Sequence, residues 1–318
     1  MITSLIKPQK NTLVCIVIGK KFYSSWYKNI FPSWKLYCKK NKIGLIAFTD
    51  NLIQETDPFW KKATWQRLLV GEKVREKFKV VKNVCVIDVD ILINPYSPNI
   101  FKLCKLNKIN TTSLRSNLPF KYENTIRKLA FFKREFLDKN YPLDSLLNCS
   151  LKTLYESDGL KPQKDEFCAG IMVFNLKKYS KILKEWFYLF KSGIDTTTKG
   201  GCQTQINYLL QKTKVYNLVN YKFQSIWIFE IASRFPHLMK YILKKKNICK
   251  DLVISVLLDN YFLHFAGSGN ENKIWMKNNF LKAKDFLILK EFNNYSNKKL
   301  KGLPLIKINK TNSLVKPI

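Results

Sequence analysis

The sequence predicts an α/β protein in which helices flank a central, mostly parallel β-sheet. The prediction depends on three short runs of β-branched and other apolar residues, at 13–19, 43–49 and 84–88, with helical patterns between them. Consecutive parallel strands need a crossover connection, which is usually a helix. The order strand, helix, strand, helix, strand within the first 90 residues therefore predicts a largely parallel sheet.

The helices are predicted from apolar residues at helical spacing. The first carries an apolar stripe that recurs every four residues, at Trp26, Ile30, Trp34 and Cys38. The second is predicted as one long helix over 59–78. Later in the chain the same criteria predict strands at 109–114, 167–176 and 253–265, and helices from 177 to 190 and from 202 to 211.

The chain is predicted to form a single domain over 1–295, followed by a basic tail over 296–318. A polar, helix-forming stretch at about 120–160, broken by Pro142, is predicted to be an insertion or lid within that domain. The tail contains six lysines, two prolines and no acidic residue. That composition is typical of a solvated segment rather than of a packed core.

Composition excludes several classes of protein. Hydrophobic residues make up 46% of the 318-residue chain, which excludes a disordered protein. No run reaches the roughly 18 consecutive apolar residues of a membrane span, and the N-terminus lacks the apolar segment of a signal peptide. Eight single cysteines without a C-x-x-C pair argue against structural zinc and for reduced thiols. We therefore expect a cytoplasmic protein.

The formal net charge of +33 has two explanations that the sequence leaves open. One is a partner with an anionic surface, such as a membrane. The other is a compositional bias toward lysine, because only six of the 56 basic residues are arginine. Proteins that read nucleic acid depend strongly on arginine, so we do not expect nucleic acid as a partner.

Asp88 and Asp90 are the first candidate functional residues. They interrupt the apolar run 84–94 and are separated by one residue, so their side chains point to the same face of a strand. Two such carboxylates repel each other unless a positive group lies between them. Ligands of parallel α/β sheets bind at the carboxyl ends of the strands, where Asp50 is also expected.

Three interpretations of this D-V-D pattern are considered. The acids cap a turn or pair with lysines, or the first acid is a phosphatase nucleophile, or both acids hold a divalent cation beside a diphosphate. The phosphatase interpretation is disfavoured because two strands precede the motif and Leu92 occupies its fifth position. The third interpretation is favoured because unpaired charge in apolar sequence is costly, and Mn²⁺ and Mg²⁺ take carboxylate oxygens.

The chain also resembles the GT-A glycosyltransferases, especially the retaining ones. It contains, in order, F-T-D at 48–50, D-V-D at 88–90, F-C-A-G-I-M-V-F-N-L at 167–176, C-Q-T-Q-I-N at 202–207 and H-F-A-G at 264–267. The first two motifs are similar to those of the ABO and α-1,3-galactosyltransferase family. The others resemble the glycogenin and bacterial α-galactosyltransferase family. The resemblance implies the GT-A fold, with a Rossmann-like sheet.

The resemblance implies a metal site and a catalytic centre. Asp88, Asp90 and His264 would bind Mn²⁺ or Mg²⁺, with Asp90 the most direct ligand. Asp90 and Gln203 are the candidate catalytic residues, since Gln203 matches the glutamine near the reacting sugar carbon in the bacterial enzymes. Glutamine is a poor nucleophile. The implied retaining mechanism is therefore front-face displacement, in which the departing phosphate oxygen takes the acceptor proton.

The remaining candidates would line the donor and acceptor subsites. The resemblance assigns nucleotide or donor binding to Ile18, Gly19, Lys20, Thr49, Asp50, Arg67, Val89, Gly267 and Lys273. It assigns the donor sugar or acceptor to Gly170, Asn175 and Cys202. Cys202 stands where the family has an aspartate, and the gap between Gly267 and Lys273 is longer than in the family.

The implied function is transfer of a sugar from a nucleoside-diphosphate sugar, UDP-linked, to a glycan, lipid or protein acceptor with retention of configuration. Two other functions stay open from the sequence. One is a basic nucleic-acid-binding or nucleotidyl-transfer protein, whose paired carboxylates hold two metals. The other is an inactive GT-A-like interaction protein, because the aspartate expected at Cys202 is missing.

The tail generates the first testable prediction. We expect the lysines of 296–318, together with Lys244, Lys245 and Lys246, to hold the chain peripherally on anionic membranes. Each basic residue near such a surface contributes on the order of 1 kcal/mol, screened within about a Debye length. The full chain should co-sediment with anionic liposomes at low salt, and a chain ending at Tyr295 should bind less. Equal binding of the two chains would contradict an anchoring role for the tail.

Overall fold

The computed structural model describes residues 2–137, 139–140, 149–194, 201–267, 269–277 and 280–297. Ten strands are described in these ranges: β1 Ile2–Ile6, β2 Asn11–Ile16, β3 Gly44–Phe48, β4 Asn83–Ile87, β5 Ile91–Ile93, β6 Ile109–Ser113, β7 Phe167–Asn175, β8 Tyr216–Leu218, β9 Ser225–Ile226 and β10 Phe262–His264.

Twelve α-helices are described in the same ranges. They are α1 Lys20–Asn29, α2 Phe31–Asn41, α3 Ala63–Gln66, α4 Val70–Lys77, α5 Ile100–Leu103, α6 Tyr122–Phe136, α7 Leu151–Glu156, α8 Leu176–Tyr188, α9 Gln203–Thr213, α10 Trp227–Arg234, α11 Lys246–Asp259 and α12 Leu287–Ser296. None of the described helices is both long and apolar enough to cross a membrane.

A seven-stranded sheet forms the centre of the molecule, in the order β1-β3-β2-β4-β7-β6-β8. Five strands run in one direction, and β1 and β7 run against them. The predicted α/β class, with a large central sheet flanked by helices, is confirmed. The predicted strand–helix–strand order gives the parallel set β3-β2-β4, and β7 then inserts antiparallel beside β4.

The sheet separates two apolar cores, because neighbouring residues of a strand point to opposite faces. In β2, Leu13 and Cys15 face one core and Val14 faces the other. The first core also contains α1, α2, α10 and α11, and the second contains α4, α8 and α9. All eight cysteines are free thiols, as predicted.

A second, three-stranded sheet lies in the first core, in the order β5-β10-β9. Strand β10 pairs antiparallel with β5, so that His264 lies opposite Ile91. It pairs in parallel with β9, where His264 lies opposite Ile226. This small sheet brings a segment near residue 264 against the segment that directly follows the D-V-D motif.

Two predicted helices differ from the structure. The predicted helix through Trp26 and Cys38 is interrupted at Ile30, because Pro32 lies in the first turn of α2 and cannot donate a backbone hydrogen bond. The predicted long helix 59–78 is instead α3 and α4, with the interruption at Arg67–Leu69.

The predicted β-rich stretch 253–265 is mostly helix. Residues up to Asp259 belong to α11, and only Phe262–His264 form a strand. The buried residues of α11 include Leu252, Val253, Val256 and Leu257, which is helical spacing. The sequence did not predict β1, nor the short strands β5, β8 and β9.

The predicted insertion at 120–160 contains α6 and α7, while 141–148 lies outside the described residues. The predicted boundary at 295 falls at the end of α12, which reaches Ser296. Residues 298–318 of the predicted tail also lie outside the described part of the chain.

Candidate metal centre

The candidate site lies at the edge of the central sheet where β2, β3 and β4 end. These three strands are neighbours and parallel, so their carboxyl ends share one edge. Strand β4 ends at Ile87, and the chain then turns through Asp88 and Asp90, with the Ile91 N–H donating to the Asp88 carbonyl at 3.2 Å. The D-V-D motif therefore occupies the turn just beyond a buried strand.

His264 completes a group of three side chains of types that commonly ligate metal ions. Its Nε2 lies 3.2 Å from Asp90 Oδ1 and 3.9 Å from Asp88 Oδ2. One ligand atom from each residue lies within 4.8 Å of the others. The exposed fraction is 5% for the imidazole, 24% for Asp90 and 32% for Asp88, so the carboxylates open to solvent above a buried ring. The structure thus brings together all three predicted ligands.

Backbone pairing holds His264 in this place. Strand β10 lies antiparallel to β5, and the Phe265 N–H donates to the Asp90 carbonyl at 3.0 Å. The imidazole arrives beside the carboxylates because the backbone of Phe265 is bonded to the backbone of Asp90. The long-range contact does not depend on the side chains alone.

Arg67 supplies positive charge on the other side of Asp88. Its Nη2 lies 2.8 Å from Asp88 Oδ1, its Nε donates to the Thr64 carbonyl at 2.7 Å, and its Nη1 donates to the Ala169 carbonyl. The side chain is 7% exposed. Arg67 was predicted to bind the donor. In the structure its hydrogen bonds hold Asp88 and the start of β7.

The charges shift the pKa values of the three ligands in different directions. Burial raises the pKa of Asp88 above its ordinary value, and Arg67 only partly opposes this. Burial acts the same way on Asp90, but His264 outweighs it and lowers the pKa of Asp90. Burial lowers the pKa of His264, yet Asp90 outweighs burial and holds that pKa well above its ordinary value. These shifts favour an ion pair between His264 and Asp90, and a cation bound to Nε2 would displace its proton.

Gln224 and Cys168 contact the other nitrogen of the imidazole. His264 Nδ1 lies 3.6 Å from Cys168 Sγ and 3.3 Å from the Gln224 amide. The amide is best satisfied with its oxygen toward the Gly170 and Ile171 N–H groups, at 3.1 Å each, and its nitrogen toward Thr112 Oγ1 at 2.7 Å. This oxygen is then placed to accept from Nδ1–H, which leaves the Nε2 lone pair for a metal.

Gly170 provides the space for this arrangement. A Cβ atom on Gly170 would lie 2.4 Å from the Gln224 amide atom that faces it and 2.5 Å from His264 Cε1. Any larger residue would therefore displace the imidazole or its amide partner. Gly170 was predicted to line the donor-sugar or acceptor side, and the structure shows that it lies directly against His264.

A cleft of about 200 Å³ opens beside the carboxylates. Its walls include Phe22 of α1, Thr64 and Arg67 of the α3 region, and the segment 86–90, which contains the predicted residue Val89. Val89 itself is 6% exposed. The cleft therefore joins the end of β4 to the start of α1.

The predicted nucleotide-binding residues at the ends of β2 and β3 lie on this same edge. Ile18, Gly19 and Lys20 follow β2, and Gly19 precedes α1 with φ of 96°, a conformation that favours glycine. Thr49 is half-buried and Asp50 is exposed directly after β3. Since β2 lies between β3 and β4, Asp50 is two strands from Asp88, roughly 10 Å away.

Gly267 and Lys273 lie on the segment that follows His264. Gly267 has φ of 109°, and a Cβ atom there would lie 2.8 Å from the Asn272 side-chain nitrogen. Lys273 is exposed and precedes a short 3₁₀ turn, Ile274–Met276. Trp275 of this turn packs edge-on against Phe22, with ring centroids 5.4 Å apart. The segment therefore packs against the cleft wall.

Gln203 begins α9 and reaches the start of β7. Its Nε2 donates to Glu166 Oε1 at 2.9 Å, and its Oε1 accepts from the Ala169 N–H at 3.4 Å. Glu166 is also bound by Arg115, at 2.9 Å. The amide of Gln203 is thus held between an ion pair and Ala169 of β7, the residue next to the glycine under His264.

The structure places two predicted sugar-side residues, Asn175 and Cys202, outside the lining of the cleft. Asn175 lies at the far end of β7, opposite Asn83, where it bonds the Asn83 side chain at 2.9 Å and caps α8. The antiparallel direction of β7 places it at the edge away from Asp88. Cys202 is 2% exposed and its thiol donates to the Thr64 carbonyl at 2.9 Å. Neither side chain faces the cleft.

The sequence did not single out Cys168, Gln224 or Glu166 as site residues, although each contacts a predicted one. Cys168 lies within the motif at 167–176, where the resemblance assigns it no role. The available signal for Gln224 is a polar residue at the start of the run 223–231, which is apolar except at Gln224, Ser225 and Glu230. A buried amide needs several partners, and its presence in such a run indicates a specific hydrogen-bonding role.

Comparison with solved structures gives several similar chains. A glycosyltransferase involved in glycosylation of the PBCV-1 major capsid has a TM-score of 0.48 and 14% identity, covering 84% of this chain and 98% of that one. The galactosyltransferase LgtC, solved with donor and acceptor sugar analogs, has a TM-score of 0.45 and 13% identity, and the match covers 92% of this chain and 98% of that one. The glycosyltransferase GlyE of Streptococcus pneumoniae TIGR4 has a TM-score of 0.43 and 13% identity, and the match covers 91% of this chain and 64% of that one. No protein-family model and no curated protein sequence matches this chain.

Gly170→Ala tests the packing under the imidazole. The added methyl group lies 2.5 Å from His264 Cε1, so we expect Mn²⁺ affinity to fall about tenfold or more and stability to fall by about 1–3 kcal/mol. Calorimetric Mn²⁺ titration and urea unfolding measure the two effects.

Ile171→Val is the matched control on the same strand. It removes one methyl group from the core and should cost about 0.5–1.5 kcal/mol of stability while Mn²⁺ affinity stays unchanged. Wild-type Mn²⁺ affinity in Gly170→Ala would show that the imidazole does not depend on this glycine.

Proposed function

We propose that the chain is a metal-dependent glycosyltransferase of the GT-A type, which transfers a sugar from a nucleoside-diphosphate sugar. The observation that carries the proposal is the convergence of Asp88, Asp90 and His264 within 4.8 Å at the carboxyl edge of the sheet, beside a cleft. Ligands of open α/β sheets bind at this edge. Two carboxylates and an imidazole at such a place are suited to a cation that also binds a diphosphate.

The donor set fits Mn²⁺ or Mg²⁺. Asp88 and Asp90 offer hard oxygen ligands, and His264 offers a nitrogen, which favours Mn²⁺ over the oxygen-preferring Mg²⁺. The three side chains cover one side of the site only, and the carboxylates are 32% and 24% exposed. Bound there, the ion supplies positive charge to the diphosphate as it leaves.

Arg67 and Gln224 prepare the ligands by hydrogen bonds rather than by contact with the ion. Arg67 fixes one oxygen of Asp88 at 2.8 Å, so that the other oxygen faces His264. Gln224 fixes the imidazole from its Nδ1 side. Supporting partners of this kind set the orientation and basicity of metal ligands.

We place the donor nucleotide along the ends of β2 and β3. We assign the base and ribose to the region of Thr49, Asp50 and Gly19, which share the sheet edge with the ligands, and we propose a UDP-linked donor. Gly267 and Lys273 follow His264 and are assigned to the diphosphate. The exposed Lys273 ammonium suits a phosphate.

Transfer with retention is proposed to occur on one face of the sugar. The bond from the anomeric carbon to the diphosphate oxygen breaks, the bond to the acceptor oxygen forms, and the acceptor proton passes to the departing oxygen. Gln203 takes no part as a nucleophile, since its amide is neutral and held by Glu166 at 2.9 Å. Its role is to orient the reacting sugar. The acceptor is a glycan, lipid or protein.

A thermal-shift screen tests metal and donor together. We expect UDP, and not other nucleoside diphosphates, to raise the unfolding temperature when Mn²⁺ is present and to have little effect without it. His264→Ala should remove most of this stabilisation, because the ion loses one of three protein ligands.

His237→Ala is the matched control, because His237 is exposed on a 3₁₀ turn and is the other of the two histidines in the chain. It should retain the full Mn²⁺-dependent shift. A UDP shift that is equal with and without Mn²⁺, or that survives in His264→Ala, would contradict the proposed metal centre.

Asp90→Asn tests catalysis separately from folding. The amide keeps the size of the carboxylate but loses its charge, so we expect sugar transfer or donor hydrolysis to fall by about 10²-fold or more. The chain should still fold, with some loss of stability because His264 loses its charged partner. Donor turnover with Mn²⁺ present is the measurement. Asp251→Asn, exposed on α11, should keep wild-type turnover. Full turnover in Asp90→Asn, or in chelator, would overturn the proposal.

A further inference from the structure

A second cavity contains half of the arginines in the chain. It has a volume of about 740 Å³ and is lined by α6 together with residues that follow β6. Arg115, Arg127 and Arg134 all line it, whereas the whole chain has only six arginines among 56 basic residues. Among the described residues of the lining, Glu123 is the one acidic residue. A bias toward lysine does not explain a cavity in which every basic residue of the described lining is an arginine.

Arg115 is held rigidly in the wall. Its Nε and Nη2 both lie 2.9 Å from Glu166 Oε2, and its guanidinium carbon lies 3.9 Å from the centre of the Tyr122 ring. The side chain is 13% exposed. A guanidinium fixed by an ion pair and by stacking loses little conformational entropy when it binds a ligand.

Arg127 and Arg134 project from α6 on the same side. They are seven residues apart, which is two helical turns, so their positions on the helix surface are roughly 10 Å apart along its axis. Both side chains are exposed. Arginine binds carboxylates and phosphates through paired N–H groups, so this spacing suits an oxyanion on a ligand of sugar size.

The rest of the wall is apolar. Ile126, Ala130 and Phe131 of α6 line the cavity, and Phe131 is 59% exposed, although it is a large aromatic residue. Exposed aromatic rings in a cavity offer a surface for the C–H faces of a sugar. The combination of arginines with an aromatic wall is therefore suited to a charged sugar rather than to an isolated ion.

The cavity and the candidate metal centre lie at the same edge of the sheet. Strand β6 runs in the direction of β4, so Arg115, two residues beyond β6, follows a carboxyl end as Asp88 does. Only β7 separates β4 from β6, a distance of roughly 10 Å. Glu166 connects the two places, because it binds both Arg115 and Gln203.

We infer that this cavity binds the acceptor and that the acceptor carries an oxyanion, either a carboxylate or a phosphate, on its sugar. The assignment of this ligand as the acceptor rests on the proposed function. The arginines receive the oxyanion, the apolar wall of α6 receives the sugar face, and Glu166 and Gln203 lie between the cavity and the donor side.

Calorimetric titration of the full chain tests the inference with three sugars: glucuronic acid, glucose 6-phosphate and glucose. We expect one or both of the acidic sugars to bind at least about tenfold more tightly than glucose. In Arg127→Gln/Arg134→Gln, the ratio of acidic-sugar affinity to glucose affinity should fall by about tenfold or more. Tight binding of glucuronic acid identifies an acceptor with a carboxylate, and tight binding of glucose 6-phosphate identifies a phosphorylated acceptor.

Lys121→Gln/Lys128→Gln is the matched control. It removes the same amount of charge from two exposed residues that do not line the cavity. Lys121 directly precedes α6, and Lys128 lies within it. Affinity should stay within about twofold of the wild-type value, since exposed charges away from a ligand contribute little. Equal loss in the lysine and arginine pairs would overturn the inference, because the binding would then reflect net charge alone. Equal affinity for glucose and the acidic sugars would also overturn it.

Failure of the inference is distinguishable from failure of the proposed function. The Mn²⁺-dependent stabilisation by UDP should persist in Arg127→Gln/Arg134→Gln, because neither arginine lines the cleft beside Asp88. If UDP and Mn²⁺ stabilise the wild-type chain and the acidic sugars bind no better than glucose, the inference alone fails. If the acidic sugars bind and UDP with Mn²⁺ does not, the acceptor assignment fails together with the proposed function.

Discussion

The pairing of β5 with β10 is the constraint on which the candidate metal centre depends. It places His264 opposite Ile91 and bonds the Phe265 N–H to the Asp90 carbonyl at 3.0 Å. A histidine and an aspartate from distant parts of the chain thus meet at 3.2 Å. Because these backbone bonds fix the distance between the two segments, the small sheet positions His264 beside Asp90 whichever rotamers the side chains adopt.

Charge compensation explains how the two acids stay together. Like charges this close disfavour double ionisation unless cations lie beside them. Arg67 lies 2.8 Å from Asp88, and His264 lies 3.2 Å from Asp90, so each carboxylate has its own positive partner. Arg67 is bonded to the backbone of α3 and β7, and Gln224 holds His264. The exposed carboxylate oxygens remain available on the cleft side.

Much of the fold and the two carboxylates of the candidate metal centre were predictable from local patterns, whereas His264 followed from the resemblance to GT-A motifs. Strands β2, β3, β4 and β7 are apolar runs of the right length, and Asp88 and Asp90 interrupt one of them. The position of Asn175 was not predictable, because motif order does not show that β7 runs antiparallel and carries its last residue to the opposite edge. The contact of Gly170 with His264 likewise depends on β7 of the central sheet packing against β10 of the small sheet, which no local period encodes.

The separation between the two paired strands has a consequence for how the chain folds. His264 and Ile91 are about 170 residues apart in sequence, so their pairing closes a very long loop. The entropy of closing such a loop must be overcome before the contact gives any stabilisation, and contacts of high sequence separation slow folding. The sheet formed by β2, β3 and β4 needs only local crossovers and is able to assemble earlier. The aspartates are then in place first, and the histidine joins them when the chain completes its small sheet.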